Sequence, residues 1–379
     1  MADTVIDLLG ANGRRIGNAP GATLNAVSRC LAVGEWQLAS PASAFTLAAG
    51  MGAADVRGVR VVENGRPIFT GSVRSLPGDD SDGITIDGVV DPTVTLSGID
   101  SGWGALAARR AYPDPATEAP WATSHDVRSG VASTVAAEYI DANMGVTALT
   151  ARQWDSLAIV DGAVGTSSTW TARLQRLDQL VTRICLDGGI VCRPTVDFDG
   201  TLSIRLAARA DRTNRLVFSD RADLTSFVWR TRPATATYVI TGGQGTLEAR
   251  AFAVAAGAGT GNDRFEHYID NTNLASTAEL ALNASARLAE AGEVRGLAVE
   301  IGRDAAETQR FGIDYDIGDL VSVEVDGTRF TTTIEAVRIT VDENGSTVVP
   351  VLGTPARDAW TALVLSVADL RDQSNDAPN

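Results

Sequence analysis

The sequence has no lysine, only two histidines and three cysteines, and each shortage narrows the chemistry open to the chain. All 32 basic residues are therefore arginines, which pair with carboxylates through two parallel hydrogen bonds and tolerate burial better than ammonium groups. With only His125 and His267, the sequence offers few candidate histidines for a nucleophilic triad or a zinc site. Cys30, Cys185 and Cys192 form an odd set, so we predict reduced, buried thiols rather than a disulfide framework.

Two further absences concern membranes and export. No run of about 18 apolar residues is present, so no membrane-spanning helix is predicted. The first residues, Met1 to Leu9, lack the basic start of a signal peptide. We therefore expect the chain to be made in a cytoplasm and not exported by itself. The net charge of −15 argues against general nucleic-acid binding, because phosphate contacts need clustered cations.

The residues that are abundant indicate a turn-rich, strand-rich protein of several domains. A chain of 379 residues exceeds the size at which one hydrophobic core keeps growing, so two to four domains are expected. Apolar residues make up 44% of the sequence, which is enough for real cores, and the 37 glycines favour many turns.

The strongest structural signal is a predicted β-meander between Phe311 and Pro355. Valines alternate with polar residues from Val321 to Val325, and Asp326-Gly327 then supplies a turn whose residues tolerate positive φ. A second alternating strand leads to Asn344-Gly345, another strong hairpin signal, and a third strand ends at Gly353.

A second β region is predicted from residue 4 to residue 104. It contains a strand around Trp36 and a hairpin whose turn is Asn64-Gly65. The sequence around this turn resembles that around Asp326-Gly327, so Gly65 and Gly327 are predicted to be the second residues of matching hairpin turns. The similarity allows two barrels of one design in a single chain.

Helices are predicted between and after these β regions. A proline-containing linker from Tyr112 to Pro120 interrupts the chain. One helix is predicted from near Asp126 to Asn143, and a second follows a cap at residues 166–168 and carries apolar residues at helical spacing: Trp170, Leu174, Leu177, Val181 and Ile184. A third begins at the capping box Ser276-Thr277-Ala278-Glu279. The last helix has an apolar face of Trp360, Leu363, Val367 and Leu370.

No pattern in the sequence predicts catalytic residues, a cofactor or a metal site. His125 stands at a predicted helix start, where capping is the ordinary role. Asp197 and Asp199, like the acidic residues at 79, 80 and 82, lie in hairpin loops where turn chemistry explains them. The glycines from Gly242 to Gly245 are not followed by a helix pattern, which argues against a phosphate loop.

Two stretches, taken in order, resemble a known family. Asp316-Ile317-Gly318-Asp319-Leu320-Val321 followed by a hairpin and the ending from Val348 to Thr354 is similar to the C-terminal barrel of tail-tip hub proteins of long-tailed phages. The Trp36-Gln37-Leu38 strand and the hairpin from Val61 to Gly71 resemble the start of the same proteins, which include minor tail proteins, baseplate hubs and tail-associated-lysin-like hubs.

The resemblance implies a mainly β fold with α/β insertions: two similar β-barrels of the phage tail-hub type, two small helix-containing domains and a C-terminal helix. The implied boundaries are 1-105 for the first barrel, 106-222 for an α/β insertion, 223-256 with 294-355 for the second barrel, 257-293 for a helical insertion, and 356-379 for the C-terminal helix and polar tail.

The function implied by the resemblance is that of a structural, non-enzymatic hub in the virion. A homotrimer would present six barrels to the sixfold tail tube and three copies to the tip below, with phage DNA passing without specific binding. Implied partners are the distal tail ring protein, the tape measure protein and tail-tip or fibre proteins.

Two alternatives stay open on the sequence. A cell-wall glycan-binding or hydrolytic β protein is the competing function, and it needs two convergent carboxylates or an aromatic platform. The face from Trp360 to Leu370 either forms a short three-stranded bundle on the tail axis, docks on a tip protein, or packs on the second barrel of its own chain.

Overall fold

The structure is a computed structural model that describes residues 4–11, 13–75, 83–117, 123–272, 277–292, 294–301, 309–343 and 345–353, with the backbone alone at 225–232, 279, 289–290 and 294–301. The chain divides into two compact units. Unit 1 comprises Met1–Ser226 and Val299–Gly353, and unit 2 comprises Phe227–Ala298 and Thr354–Asn379. The protein is mainly β, with few helices.

The first part of unit 1 is made of strands, which are β1 (Thr4–Leu9), β2 (Arg15–Asn18), β3 (Thr23–Arg29), β4 (Ala32–Pro41), β5 (Thr46–Leu47), β6 (Gly58–Glu63), β7 (Arg66–Ser72), β8 (Ile84–Asp87) and β9 (Thr93–Asp100). Helices then alternate with strands in α1 (Ser101–Ala107), β10 (Asp126–Val131), α2 (Ala132–Met144), β11 (Leu157–Asp161), β12 (Ser167–Ala172), α3 (Leu177–Gly188), β13 (Ile190–Val196), β14 (Leu202–Ala208) and β15 (Val217–Ser219).

The remaining elements begin with β16 (Leu224–Arg232) and continue with β17 (Tyr238–Gly242), β18 (Phe252–Ala256), β19 (Glu266–Asp270), α4 (Thr277–Ala291) and β20 (Val294–Ile301). The chain then returns to unit 1 in β21 (Leu320–Val325), β22 (Thr328–Asp342) and β23 (Gly345–Leu352).

The two β regions predicted from the sequence share one continuous sheet in unit 1. Strands run in the order β23-β22-β3-β4-β9-β7-β6-β1-β2-β5, and β22 pairs with β3 from Val341↔Leu24 to Ala336↔Arg29. β21, β22 and β23 form the antiparallel meander that the valine alternation predicts. Within the described residues, this strand pairing traces no closed barrel.

The turns that contain Gly65 and Gly327 have the same backbone geometry. Each is a two-residue hairpin loop, since Glu63 pairs with Arg66 in one and Val325 with Thr328 in the other. The φ angles are 50° and 77° at Asn64 and Gly65, and 50° and 74° at Asp326 and Gly327. Positive φ at both central residues gives the turn a twist that matches the flanking strands.

We expect Gly65→Val and Gly327→Val each to lower the free energy of unfolding by on the order of 1 to 3 kcal/mol, because a β-branched side chain is strained at these φ values. No heavy atom lies within 4 Å of an added Cβ at either position, so backbone strain is isolated from crowding. Gly52→Val is the matched control, because its Cβ site is equally open and its φ is −123°. Urea unfolding measures all three, and equal stability across them would contradict the strain argument.

The two parts of the N-terminal motif meet inside the sheet. Trp36 on β4 is 3% exposed, and its indole N–H lies 3.2 Å from the Ile99 carbonyl oxygen and 3.3 Å from that of Ser72. A Cβ on Gly71 would stand only 2.3 Å from the Trp36 Nε1 atom. Gly71 is therefore the residue that gives the buried indole its space.

A layer of helices packs on a second, three-stranded sheet within unit 1. The sheet has the order β11-β14-β13 and includes the hairpin predicted around Asp197 to Gly200. Buried residues of α1, α2 and α3 form one apolar cluster with this sheet, among them Leu106, Tyr139, Leu180, Ile184 and Ile204.

Two helix predictions in this layer are wrong at their first turns. The helix predicted from Asp126 starts at Ala132, and the segment from Asp126 to Val131 is instead a strand paired with β12. Likewise, the helix predicted after residues 166–168 starts at Leu177, because residues 167–172 form β12 and Leu174 has a φ of 61°. The hydroxyl of Tyr139 lies 2.9 Å from the carbonyl oxygens of Asp126 and Trp170, which fixes this strand pair on α2.

Asp319, in the Ile317-Gly318-Asp319 turn, ties the helical layer to the meander. Its carboxylate is 1% exposed and lies 2.5 Å from the Arg193 Nη2 atom and 3.1 Å from the Arg212 Nε atom. It also accepts a hydrogen bond of 3.0 Å from the backbone N–H of Asp316. Because Arg193 comes from β13, one buried anion holds three segments of unit 1 together.

Unit 2 contains a three-stranded sheet with one helix on one face. The sheet has the order β18-β17-β19, with β18 antiparallel and β19 parallel to β17. Val239 of β17 and Ala284 of α4 are buried between sheet and helix, and Ala255, Ile269 and Leu288 pack against them. No helix in the described part of the chain has the length and hydropathy needed to cross a membrane.

Candidate assembly interface

The structure places the two predicted turn glycines at separate, exposed positions of unit 1. Next to Gly65, the Arg66 guanidinium donates a hydrogen bond to the Phe311 carbonyl oxygen. Beside Gly327, the Asp326 N–H donates to the Asp220 carboxylate at 2.9 Å. The turns therefore contact different segments, and an interface role for both stays a prediction. Trp360, Leu363, Val367 and Leu370, and also Ser276 of the predicted capping box, lie outside the described residues.

One cleft in unit 1 is lined by three aspartates, Asp100, Asp197 and Asp316, so it has the two carboxylates that a hydrolase would require. Its volume is about 350 Å³. Burial raises the pKa of Asp100 to about 6, against the opposing effect of hydrogen bonds from Trp103 and Gly102. Burial also raises the pKa of Asp316, while Arg193 opposes the shift.

Asp197 accepts the Ser203 hydroxyl at 3.0 Å, and the other two carboxylates hold the backbone in place. Asp100 caps α1, since it accepts the N–H groups of Gly102 at 2.9 Å and Trp103 at 3.1 Å. Asp316 accepts the N–H of Ile317 at 2.8 Å and lies 3.4 Å from the Arg193 Nε atom. Their raised pKa values thus accompany structural roles, and the pair gives no specific support to glycan hydrolysis.

Metal and thiol chemistry find little support in the described chain. No group of three or more histidine, cysteine, aspartate and glutamate side chains there could hold a metal ion. All three cysteines are unpaired. Burial raises the pKa of Cys30 to about 11 and that of Cys185 to about 12, and it also raises the pKa of Cys192. At neutral pH these groups are therefore protonated thiols with little nucleophilic character.

The outer face of the unit 2 sheet, opposite α4, is apolar and exposed among the described residues of that unit. Cross-strand pairing puts Val254 beside Ile240, and Ile240 beside Tyr268. Phe252, Val254 and Tyr268 are each about half exposed, at 50%, 52% and 49%. Antiparallel sheets that face water usually carry polar residues on the solvent side, so this face has the composition of a contact surface. We call these residues, together with Ile240 and Tyr238, the outer apolar face.

Two arginines border the outer apolar face, and each has an acidic partner. The Arg250 guanidinium lies 5.8 Å from the Phe252 ring centroid and 5.9 Å from that of Tyr268, and it pairs with Asp270. Gly242 leaves room for it, because a Cβ there would meet the Arg250 Nε atom at 3.0 Å.

At the other end of the face, the Arg264 guanidinium lies 3.7 Å from the Tyr238 ring centroid, with Glu266 2.6 Å from its Nε atom. The border charges of the face therefore cancel. Arginine therefore covers the Tyr238 ring, whereas Phe252 and Tyr268 are about half exposed.

Sequence reasoning did not find this face. The strand β19 was not predicted, since Glu266-His267-Tyr268-Ile269-Asp270 mixes charged and apolar residues without clean alternation. The exposed residues also come from strands that pair non-locally, so no spacing in the sequence joins Phe252 and Tyr268. The alternation of large side chains with alanine along Phe252-Ala253-Val254-Ala255 was the signal that could have indicated a two-sided strand.

The sequence matches one protein family over most of its length. The family model described as Siphovirus ReqiPepy6 Gp37-like protein matches residues 23–354. Among curated proteins, none matches the sequence.

Three solved structures share the fold of this chain. The 43 kDa tail protein of prophage MuSo2 from Shewanella oneidensis has a TM-score of 0.56 and 14% identity, over 93% of this chain and 98% of that one. The tail protein from Neisseria meningitidis MC58 has a TM-score of 0.54 and 14% identity, over 93% and 97%. The prophage tail protein gp18 from Listeria monocytogenes EGD-e has a TM-score of 0.53 and 7% identity, over 98% and 99%. At such low identities the likeness concerns the fold.

Proposed function

Because this chain belongs to the Siphovirus ReqiPepy6 Gp37-like family and is a protein of the phage tail, we propose that it is the structural hub of the tail tip. In this proposal three copies form a ring that adapts the sixfold tail tube to threefold tip or fibre proteins. The two β regions of each chain act as related barrels, so that three chains supply six similar contacts to the tube. The shared fold of three tail proteins, two of them from prophages, supports the proposal.

The domain division proposed for the hub follows the sequence. Segments 1-105 and 223-256 with 294-355 are the barrels, 106-222 and 257-293 are insertions that face partners, and 356-379 continues the ring toward the tip. The proposed partners are the distal tail ring protein, the tape measure protein and the tip or fibre proteins. The hub has no catalytic role of its own, and its net charge of −15 lets DNA pass by repelling phosphate.

The outer apolar face is the observation that carries the proposal of a ring. A ring of copies needs a surface that removes apolar side chains from water, and interface cores are enriched in aromatic residues and arginine. In a chain with a charge of −15, two copies repel each other over most of their surfaces. The paired Arg250 and Arg264 make this face locally neutral, so a second copy meets the least repulsion there.

The test is a mass measurement on the purified chain by analytical ultracentrifugation. The measured mass of the wild type should be three times that of one chain, which is 39.6 kDa. Val254→Asp with Tyr268→Asp should yield monomers with an unchanged melting temperature, because both side chains are already half exposed. Leu282→Asp, on the 67% exposed outward side of α4, is the control and should stay trimeric.

Two results would overturn parts of the proposal separately. A wild-type monomer, both in solution and after release from tails, would contradict the trimeric hub. If the double variant remains trimeric but is not incorporated into tails, the hub proposal stands. The outer apolar face would then bind a different tail protein rather than a second copy of this chain.

A further inference from the structure

A groove in unit 1 concentrates arginines in an otherwise acidic chain. It has a volume of about 850 Å³, which is within the range of ligand pockets. Arg14, Arg57, Arg74 and Arg109 line it, against only Asp155 and Asp199. The lining residues therefore carry a net charge of +2, four arginines minus two aspartates, while the chain carries −15.

Two of these arginines have no acidic partner in the described part of the chain. The Arg109 Nε atom donates to the Arg152 carbonyl oxygen at 3.3 Å, and no carboxylate forms an ion pair with it there. Among the described residues, Arg74 forms no side-chain hydrogen bond or ion pair. Burial lowers the pKa of Arg109, and the like charge of the neighbouring Arg74 lowers it further. Holding two like charges together costs stability unless an anion joins them, and no carboxylate of the described residues forms an ion pair with either.

Neither acidic residue of the groove, Asp155 or Asp199, forms an ion pair with Arg74 or Arg109 among the described residues. The Asp199 carboxylate accepts the N–H of Thr201 at 2.9 Å, which lowers its pKa and commits it to its own turn. Arg57 donates to the carbonyl oxygens of Ala54 at 2.7 Å and Val56 at 3.2 Å, so its guanidinium is held at the groove in a fixed orientation.

We propose that this groove binds a short acidic peptide segment of another tail protein. Carboxylates of that peptide pair with the guanidinium groups of Arg74 and Arg109. Guanidinium groups bind carboxylates through two parallel hydrogen bonds, and Leu9, Val73, Trp154 and Val196 offer apolar surface for the intervening residues. The inference goes beyond the hub role and does not depend on the trimer.

A nucleic-acid backbone fits the groove less well. Duplex DNA carries charge continuously, so most of its phosphates would lie outside the groove and face a chain with a charge of −15. A segment with a few carboxylates can place all of its charge against the arginines. The observations therefore favour peptide over DNA.

The experiment measures fluorescence polarisation of labelled hexaglutamate with the full chain at about 50 mM and 200 mM salt, with hexaglutamine as the matched neutral probe. Binding should be specific to hexaglutamate and weaken at the higher salt. Arg74→Gln with Arg109→Gln should lower the affinity at least tenfold. Arg338→Gln, an exposed arginine on β22 outside the groove, is the charge-matched control and should change the affinity less than twofold.

Three outcomes would overturn the proposal. They are no binding of hexaglutamate at millimolar concentration, an equal loss of affinity in Arg338→Gln, and displacement of the peptide by a DNA duplex at lower concentration than by unlabelled peptide. The last would assign the groove to nucleic acid. Arg74→Gln alone keeps the test decisive if the Arg109 change disturbs folding, since the exposed Arg74 side chain forms no hydrogen bond within the described residues.

Discussion

Replacing Asp319 with alanine should lower the free energy of unfolding of unit 1 by about 3 to 5 kcal/mol. The change removes the buried carboxylate between Arg193 and Arg212, so Arg212 loses its ion pair and Arg193 keeps the longer contact with Asp316, at 3.4 Å. It also leaves the N–H of Asp316 without its acceptor. An uncompensated buried charge is among the most costly defects in a folded protein, which is why the expected effect is large.

Chemical denaturation followed by tryptophan fluorescence measures this effect. Glu35→Ala is the control, since Glu35 forms a single ion pair with Arg29 at 3.0 Å and its side chain is 71% exposed. That exposed pair should contribute less than about 1 kcal/mol. A loss in Asp319→Ala no larger than in the control would refute a central role for this carboxylate.

A triple variant distinguishes the cost of leaving buried arginine charges without a partner from the loss of their attraction to Asp319. Arg193→Met, Asp319→Leu and Arg212→Met together replace the buried ions by apolar groups of similar size. Such replacements are often neutral or stabilising, so most of the stability lost in Asp319→Ala should return. If the triple variant is as unstable as the single one, the hydrogen bond to the backbone of Asp316 is the main contribution of Asp319.

Turn chemistry and alternation predicted the meander because both signals are local. Asp326-Gly327 can adopt positive φ at both residues, and the valines from Val321 to Val325 alternate in sequence and are all buried. The register between β22 and β3 could not be predicted this way. It depends on pairing between residues more than 300 positions apart, and no local pattern encodes that.

The helix errors have a specific physical cause. Val127, Val131, Val135 and Tyr139 are four residues apart, and four is a whole number of strand repeats as well as about one helical turn. This spacing therefore fits both structures. The segment up to Val131 forms a strand because it pairs with β12. In the second case the spacings from Trp170 to Ile184 are four, three, four and three, so the apolar pattern is helical over its whole length. Pairing of residues 167–172 with β10 and the positive φ of Leu174 override the pattern, and the helix begins at Leu177.

The two candidate contact surfaces could not be predicted because each is assembled from distant segments. Arg14, Arg57, Arg74 and Arg109 stand in four separate parts of the sequence and meet only at the groove. The outer apolar face requires both neighbours of β17, one of which is parallel and reached through a long connection. The net charge shows that the chain is acidic, but it does not show which arginines lie close together in the folded protein.

A large crowding effect is expected at Gly71, whose replacement by alanine should lower the free energy of unfolding by about 1 to 3 kcal/mol. The new methyl group would stand 2.3 Å from Nε1 and 2.5 Å from Cδ1 of Trp36. The indole cannot easily move away, because its N–H is held by the carbonyl oxygens of Ile99 and Ser72. Gly52→Ala, with no heavy atom within 4 Å of its added Cβ, should change stability by less than about 0.5 kcal/mol.

A double-mutant cycle with Trp36→Ala tests whether this contact explains the spacing of the N-terminal motif. Trp36→Ala alone should cost about 3 to 5 kcal/mol, since it empties a buried site of a large side chain. In that background the penalty of Gly71→Ala should fall close to zero, because the methyl group enters the vacated space. The coupling energy between the two sites should therefore be about 1 to 3 kcal/mol. An equal Gly71→Ala penalty in both backgrounds would show that glycine is needed there for its backbone and not for the indole.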